Sequence, residues 1–456
     1  MVTGEKKEFH KKNEIHRLKI DGYSYDGAGI ARLDGMAVFV AGALSGETCD
    51  VQLLKVGKSA SWGRVVRFIE QSPGRVASDC PHYPKCGGCQ TRHMSYAEEL
   101  EFKRQRVEDA LRRIGGAEIR VPVIFGANNT ECYRNKAQFP VGREGSIGFY
   151  RARSHDVIDV PDCRLQSEPA HRLRAALKGW MEEYKIPAYD EENHKGLIRH
   201  LFVRTNRTGQ SLCCIVANGD ELPHAHALID ALQGGEPGLV GIILSVNKRI
   251  TNVILGDTFR TIWGQDFLED TLCGLTFRLS TPSFFQVNRE QTEVLYQTAL
   301  EFAELTGAET VLDLYCGVGT ITLVMAKKAL RAIGAEVVPE AVEDARDNAV
   351  RNGVHNAEFI CADAGQAAKV LSGHGIRPDV ICVDPPRKGL AADVIDTICA
   401  MAPKRLVYVS CDPATLARDI KLFGLQGYVP TKAVAVDLFP RTHHVETVVL
   451  MSRVEK

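Results

Sequence analysis

Two short stretches in the last third of the chain carry residues suited to covalent chemistry. In RLVYVSCDPATLARD, Cys411 follows an apolar run and precedes Pro413 and a helical pattern. It is therefore expected where a strand gives way to a helix N-terminus. The dipole and free N–H groups there favour a thiolate, the nucleophilic form of the side chain. A cysteine that merely fills space would sit inside the strand instead. In HHVETVVLM, Glu446 opens an otherwise apolar strand, and a carboxylate is expensive to bury there unless it is paired or used. On spacing alone, an exposed strand-edge charge fits as well. A thiolate and a separate base suit alkylation at C5 of a uracil, a carbon that is a poor nucleophile by itself. Adding sulfur to C6 makes the ring an enolate, and C5 can then take an electrophilic methyl. A base removes the C5 proton and the thiolate leaves.

A methyl donor needs its own site, and VLDLYCGVGTITL reads as a strand, a glycine turn and a helix. Asp313, Cys316, Gly317 and Gly319 fall in the turn region, where glycine lets the backbone approach a ligand. The next strand ends at Glu336, about twenty residues on, where a carboxylate can accept from ribose hydroxyls. A third strand ends at Asp363, placed to face a base. A G-x-G turn alone would suit a dinucleotide enzyme, but the third glycine of that fingerprint is missing. Asp384-Pro385-Pro386-Arg387 follows another apolar strand and forms a rigid polar rim. Together these favour an S-adenosylmethionine site.

The elements that must hold these residues form an alternation of strands and helices from about 284 to 456, a mostly parallel sheet covered on both faces. Ahead of it, 73–283 reads as a central α+β region with helices expected near 96–114 and 171–184. It is rich in arginine beside aromatics: Tyr133-Arg134, Tyr150-Arg151-Ala152-Arg153 and Arg199 to Arg204. Such residues can pair with phosphate and stack on bases, and they are expected to line the pocket for a flipped base. The first 72 residues hold short apolar runs punctuated by glycine, as in a small antiparallel barrel. Lys55, Lys58, Arg64 and Arg67 give that barrel a basic edge suited to nucleic acid, or simply a solvated face.

Lys+Arg numbers 56 against 57 for Asp+Glu, a net charge of −1, so any nucleic-acid face is local. No apolar run approaches the about 18 residues that span a bilayer, and no secretory pattern opens the chain, so a cytoplasmic protein is expected. The fourteen cysteines then read as reduced thiols, ligands or a nucleophile. Cys213, Cys214 and Cys382 lie in apolar runs and are expected to be buried fillers; Cys132 is taken as structural. Cys80, Cys86 and Cys89, in C-x5-C-x2-C, could enclose a soft metal with a distant fourth thiolate, zinc being the default.

Over nearly its whole length the chain resembles the bacterial 23S ribosomal RNA (uracil-5-)-methyltransferases of the RlmC and RlmD type. DLYCGVGT, DPPRKG, SCDPATLARD and HHVETVVLM carry the resemblance. It implies a class I (Rossmann-like) methyltransferase domain at 284–456, with the helix at 96–114 packed on it, and a TRAM RNA-binding barrel at 1–72. It implies Gln286, Tyr315, Glu336 and Asp384 as cofactor contacts, with Thr320 and Asp363 beside them, Cys411 as nucleophile and Glu446 as base. It also implies a [4Fe–4S] cluster on Cys80, Cys86, Cys89 and Cys163. The expected partner is 23S ribosomal RNA, met by a monomer with its target uridine flipped from the stack. Three alternatives stand beside this. One is 5-methyluridine formation in the transfer-RNA T-loop, against which the barrel and the four cysteines argue. The others are an amino-directed methyltransferase that needs no thiol, and a non-catalytic iron–sulfur RNA-binding protein.

Overall fold

The structure, a computed structural model, describes residues 10–454. Its contacts divide the chain into two compact units. The first takes residues up to 84, 89–106 and 441–443, and the second takes the remainder.

In the first unit five strands close into a barrel in the order Ile15–Tyr23, Gly29–Leu33, Met36–Ala41, Ala60–Glu70, Thr48–Val56. Their alternate residues, among them Leu18, Ile20, Val38, Val40, Val51 and Leu53, point inward and fill it. Arg67 is paired to Asp50 at 2.8 Å and Arg64 donates to Gln52 at 3.0 Å. Lys55 lies 5.1 Å from the Trp62 ring centroid, and Trp62 is exposed, a combination able to hold both phosphate and base.

The second unit contains two main sheets, besides the two-stranded pairs Gly148–Tyr150 with Val157–Asp159 and Phe267–Leu272 with Leu275–Ser280. The smaller runs Thr258–Gly264, Leu239–Val246, Ser211–Ala217, Ile198–Thr205, Lys136–Pro140. Helices Glu168–Glu183 and Ala225–Gly235 contribute Leu173, Leu177, Trp180, Leu228 and Leu232 to the core it shares. Cys213 and Cys214 are fully buried in the sheet, as is Cys382 in the larger one, so the filler reading of these three holds. Cys132 is exposed, with φ of 49°.

The larger sheet has eight strands in the order Ala357–Cys361, Arg331–Glu336, Thr310–Leu314, Val380–Val383, Arg405–Ser410, Glu446–Arg453, Tyr428–Val436, Ile124–Phe125. The first five are parallel, while Glu446–Arg453 runs antiparallel to both of its neighbours. Alternation along each strand divides the core in two. Leu312, Leu314, Ile381, Val383, Leu406 and Tyr408 join one apolar cluster; Val311, Val380, Cys382, Val407 and Val409 join the other. Both faces are thus covered, as the near-continuous apolar strands require. The helix Tyr96–Arg113 contributes Val107 and Leu111 to the first cluster. No helix among the described residues is long and apolar enough to cross a membrane.

Candidate active site

The parallel strands end together, and a cleft of about 770 Å³ opens beyond their carboxyl ends, the usual ligand position of an open α/β sheet. Gln286, Tyr315, Thr320, Glu336, Asp363, Asp384, Cys411 and Glu446 all line it.

Register explains how Cys411 and Glu446, 35 positions apart in the chain, come together. Ser410 ends its strand opposite Thr447 of the antiparallel neighbour. Continuing that ladder by one residue sets Cys411 facing Glu446. Asp384 follows Val383, which pairs with Tyr408 on the other side, so one carboxylate flanks each side of the thiol. The cation of the group is Arg387, exposed on the rim, with NH2 3.4 Å from His444 Nε2.

This charge distribution changes the expected state of the nucleophile. Asp412 is the N-cap of helix Pro413–Leu425, and its carboxylate accepts from Ala414 and Thr415 N–H at 2.9 and 3.0 Å. Two helix-end donors expected to favour a thiolate are therefore taken. Burial, then the charges of Glu446 and Asp384, push the Cys411 thiol up to about 12, opposed by Arg387. In the free protein the thiol is protonated. A cationic ligand in the cleft would offset the two carboxylates and lower it again. Alkylation at pH 8 with the cleft empty is accordingly expected to label exposed Cys361 well before Cys411, as peptide mass spectrometry would show.

Burial also raises Glu446, with Asp384 adding to it, to about 8, and it raises Asp384 to about 7. Glu446 is only 2% exposed. Such a carboxyl can gain and lose a proton near neutrality, which a base of ordinary acidity does less readily.

The other end of the cleft is a polar cradle. Glu336 accepts from the N–H groups of Gly317, Val337 and Val338 at 3.1, 2.8 and 3.0 Å. These fill three of the about four acceptor positions of a carboxylate and leave one toward the cleft. The turn begins at Tyr315, a non-glycine at φ 72°, whose N–H and that of Cys316 both donate to Ala335. Asp363 caps helix Ala364–Gly373, accepting from Gln366 N–H at 2.9 Å.

The two glycines differ in their purpose. A Cβ on Gly317 (φ 54°) meets nothing within 4 Å, so the space beside it is open to a ligand. One on Gly319 (φ 83°) would lie 3.0 Å from Phe359 and 3.1 Å from Ala345. Gly319 serves packing rather than ligand approach. Both positions have left-handed backbone, so either alanine costs stability. Gly319→Ala adds close contacts and is expected to destabilise more, by about 1–3 kcal/mol, while Gly317→Ala should also weaken ligand affinity. Thermal unfolding and calorimetric titration would separate the two.

Sequence reasoning missed Tyr296, whose hydroxyl lies 3.0 Å from Thr320 Oγ1 inside the cleft. It comes from helix Arg289–Ala303, and nothing in its local pattern marks it. Asp313, expected in the turn, lies within its strand instead; it is buried, accepts from Thr322 at 2.6 Å and does not line the cleft.

The central arginines require a larger correction. Arg199 and Arg204 are 5% and 1% exposed. Arg199 donates to the carbonyls of Asn247, Arg249 and Thr251, and Arg204 to that of Ser283 at 2.6 Å. Both are loop clamps, and the guanidinium in the cleft belongs to Arg387. Arg204→Ala would strand its carbonyl partners and is expected to cost about 3 kcal/mol of stability, measurable by denaturant unfolding.

Residues 257–454 match the family model described as tRNA (Uracil-5-)-methyltransferase, and residues 11–66 match the TRAM domain. A Clostridium tetani protein named as an RNA methyltransferase is 45% identical over 446 residues, 97% of each chain. Another from Halalkalibacterium halodurans is 44% identical, covering 96% of this chain and 97% of that one. A solved structure, the Pyrococcus abyssi tRNA (uracil-54, C5)-methyltransferase in complex with S-adenosyl-L-homocysteine, is similar with a TM-score of 0.77. It is 28% identical and covers 96% of this chain and 100% of that one.

Fold and cleft together define a class I S-adenosylmethionine-dependent methyltransferase that acts on RNA. The chain belongs to the uracil-5 RNA methyltransferase family, with an N-terminal TRAM domain. The cleft fits the donor: it has an open glycine turn, a carboxylate with a remaining acceptor position and an apolar wall that includes Phe285 and Val318. The solved relative also corrects the case against transfer RNA. Its match over 96% of this chain takes in most of the barrel, so the barrel does not set ribosomal enzymes apart.

Among the described residues, His10, Glu14 and His16 form one group whose potential metal-ligating atoms all lie within 4.8 Å of one another. Glu14 pairs with His16 at 3.2 Å, so the group also reads as an ion-pair cluster. Cys80 and Cys89 belong to the first unit, and Cys86 and Cys163 to the second.

Proposed function

We propose that this chain methylates C5 of a uridine in 23S ribosomal RNA through a covalent bond between Cys411 and C6. The observation that carries the mechanism is a half-buried thiol and a buried glutamate lining one cleft at the ends of adjacent antiparallel strands. The Cys411 thiol passes its proton to water at the cleft mouth as it forms a C–S bond to C6, and the displaced electron pair moves onto O4 as an enolate. The cofactor supplies a methyl bonded to a sulfonium, which leaves its electron pair on sulfur when C5 takes the carbon. Glu446 accepts the C5 proton, the C5–C6 double bond re-forms and the thiolate departs. Asp384, at the head of its rigid Pro-Pro rim, completes the polar lining, while Gln286, Tyr315, Thr320, Glu336 and Asp363 hold the cofactor.

Ribosomal RNA is preferred because DLYCGVGT, DPPRKG, SCDPATLARD and HHVETVVLM resemble that group's motifs; the Clostridium and Halalkalibacterium relatives are named only as RNA methyltransferases. Transfer RNA is the second reading, favoured by the solved relative's substrate. Mapping 5-methyluridine in ribosomal and transfer RNA of a deletion strain decides between them. Loss confined to transfer RNA would refute the first.

We also propose a [4Fe–4S] cluster on Cys80, Cys86, Cys89 and Cys163. All four are half-buried thiols, outside the regular helices and strands and unlike the sealed strand cysteines. An all-thiolate set suits iron as well as zinc. Anaerobic purification should give iron and sulfide, and stoichiometric zinc without iron would contradict the cluster.

A further inference from the structure

A second cleft, of about 370 Å³, lies beside the smaller sheet. Its floor is the start of strand Ile198–Thr205, where the register against the neighbouring strand shifts between Ile198 and His200. A bulge there lets consecutive side chains turn to one side, and Arg199 and His200 both line the cleft. Each is more than nine-tenths buried, and each keeps a polar atom without a hydrogen-bond partner: Arg199 Nε and His200 Nδ1. Carbonyl bonds fix the rest of the guanidinium, so that donor is held in place. Burial, with Arg199 adding to it, lowers His200 to about 4, which leaves a neutral imidazole able to accept or donate.

Unmet buried groups of this kind are costly, and a ligand that supplies partners recovers the loss. Tyr150 and Tyr189 form aromatic walls, with the Arg199 guanidinium 4.4 Å from the Tyr189 ring. The rim carboxylates are largely paired, Glu192 with Arg143 at 2.6 Å and Glu191 with His155 at 3.2 Å. Glu144 and Asp156 also face the cleft, so a bare phosphate is disfavoured inside it. Arg151 and Arg153 are exposed on the adjoining turn, Arg151 3.8 Å from Asp156.

We propose that this cleft takes an unstacked purine of the substrate RNA, with the neighbouring phosphate on Arg151 and Arg153. A purine offers a ring nitrogen to Arg199 Nε, a polar edge to His200 Nδ1, N–H donors to the carboxylates and a face to the tyrosines. Uracil has no exocyclic amine for those carboxylates. The proposal rests on the chain acting on RNA, but its first test does not need turnover.

The full protein with 15N-labelled histidine is titrated with GMP, AMP and UMP while the His200 ring signals are followed. Purine monophosphates are expected to shift them, with UMP at least about tenfold weaker. Tyr150→Ala should weaken the purine response. No shift with either purine, or an equal response to UMP, overturns the proposal. In methylation assays, Tyr150→Ala and His200→Phe should raise KM for RNA several-fold at unchanged kcat; unchanged KM in the well-folded Tyr150→Ala protein also overturns it. A wild-type protein that methylates no RNA would refute the proposed function while leaving the mononucleotide titration to decide the cleft.

Discussion

Cys411→Ala is expected to abolish methyl transfer, lowering the rate at least about 10⁴-fold, while cofactor binding and unfolding temperature stay near wild type. The size follows from the reaction: without sulfur at C6, C5 lacks the electron density to attack a methyl, and no neighbouring group can substitute. The small effect on the fold follows from position. Cys411 is half-buried at a cleft wall, outside both apolar clusters of the sheet, so its loss leaves no sealed cavity. Single-turnover methylation with labelled cofactor, beside calorimetric titration of S-adenosylhomocysteine, measures both. An amino-directed enzyme would keep its wild-type rate in the same variant.

Glu446→Gln is expected to have the second largest effect and to give a different product. Addition and methyl transfer need no base at C5, so both should proceed, and the adduct should then stall because the C5 proton stays. Turnover is expected to fall about 10²–10⁴-fold, with RNA accumulating on the protein as a band of reduced mobility in denaturing gels. Loss of turnover without that band would assign Glu446 another role. The pH dependence has a definite sign. Glu446 sits at about 8 in the folded protein against 4.5 ordinarily, so the folded chain keeps this proton over that window. The stability associated with the protonated group is complete below the unfolded value and is lost as pH rises through about 8. Activity that needs the ionised form should rise across the same range. Glu446→Gln should flatten this part of the stability profile.

The contrast between what was legible and what was not follows a physical division. Strand ends, glycine turns and caps are written locally, so VLDLYCGVGT, DPP and SCDP could be placed at the rim of a parallel sheet from periodicity and turn chemistry alone. The helix expected at 96–114 and that found at Tyr96–Arg113 agree for the same reason. Burial of polar side chains is not written locally. Arg204 stands beside aromatics like any RNA-facing arginine, and only the carbonyls of a distant loop reveal that it is a clamp. Arg199 is clamped through its terminal nitrogens, which leaves Nε toward the second cleft. The state of Cys411 was hidden in the same way. Its helix N-terminus is visible in the sequence, but the burial that outweighs it, and the carboxylates Asp384 and Glu446 that add to it, come from packing of separate elements. Tyr296 joined the cleft only when the sheet brought its helix alongside.

The covalent role of Cys411 is tested most directly with an RNA that the protein methylates, resynthesised with 5-fluorouridine at the target. Fluorine at C5 cannot leave as a proton, so methyl transfer should strand the RNA on the enzyme. Peptide mass spectrometry should then find one nucleotide, carrying both methyl and fluorine, bonded to Cys411 and to no other cysteine. Failure to trap an adduct, with the unmodified RNA methylated normally in parallel, would contradict the thiolate mechanism.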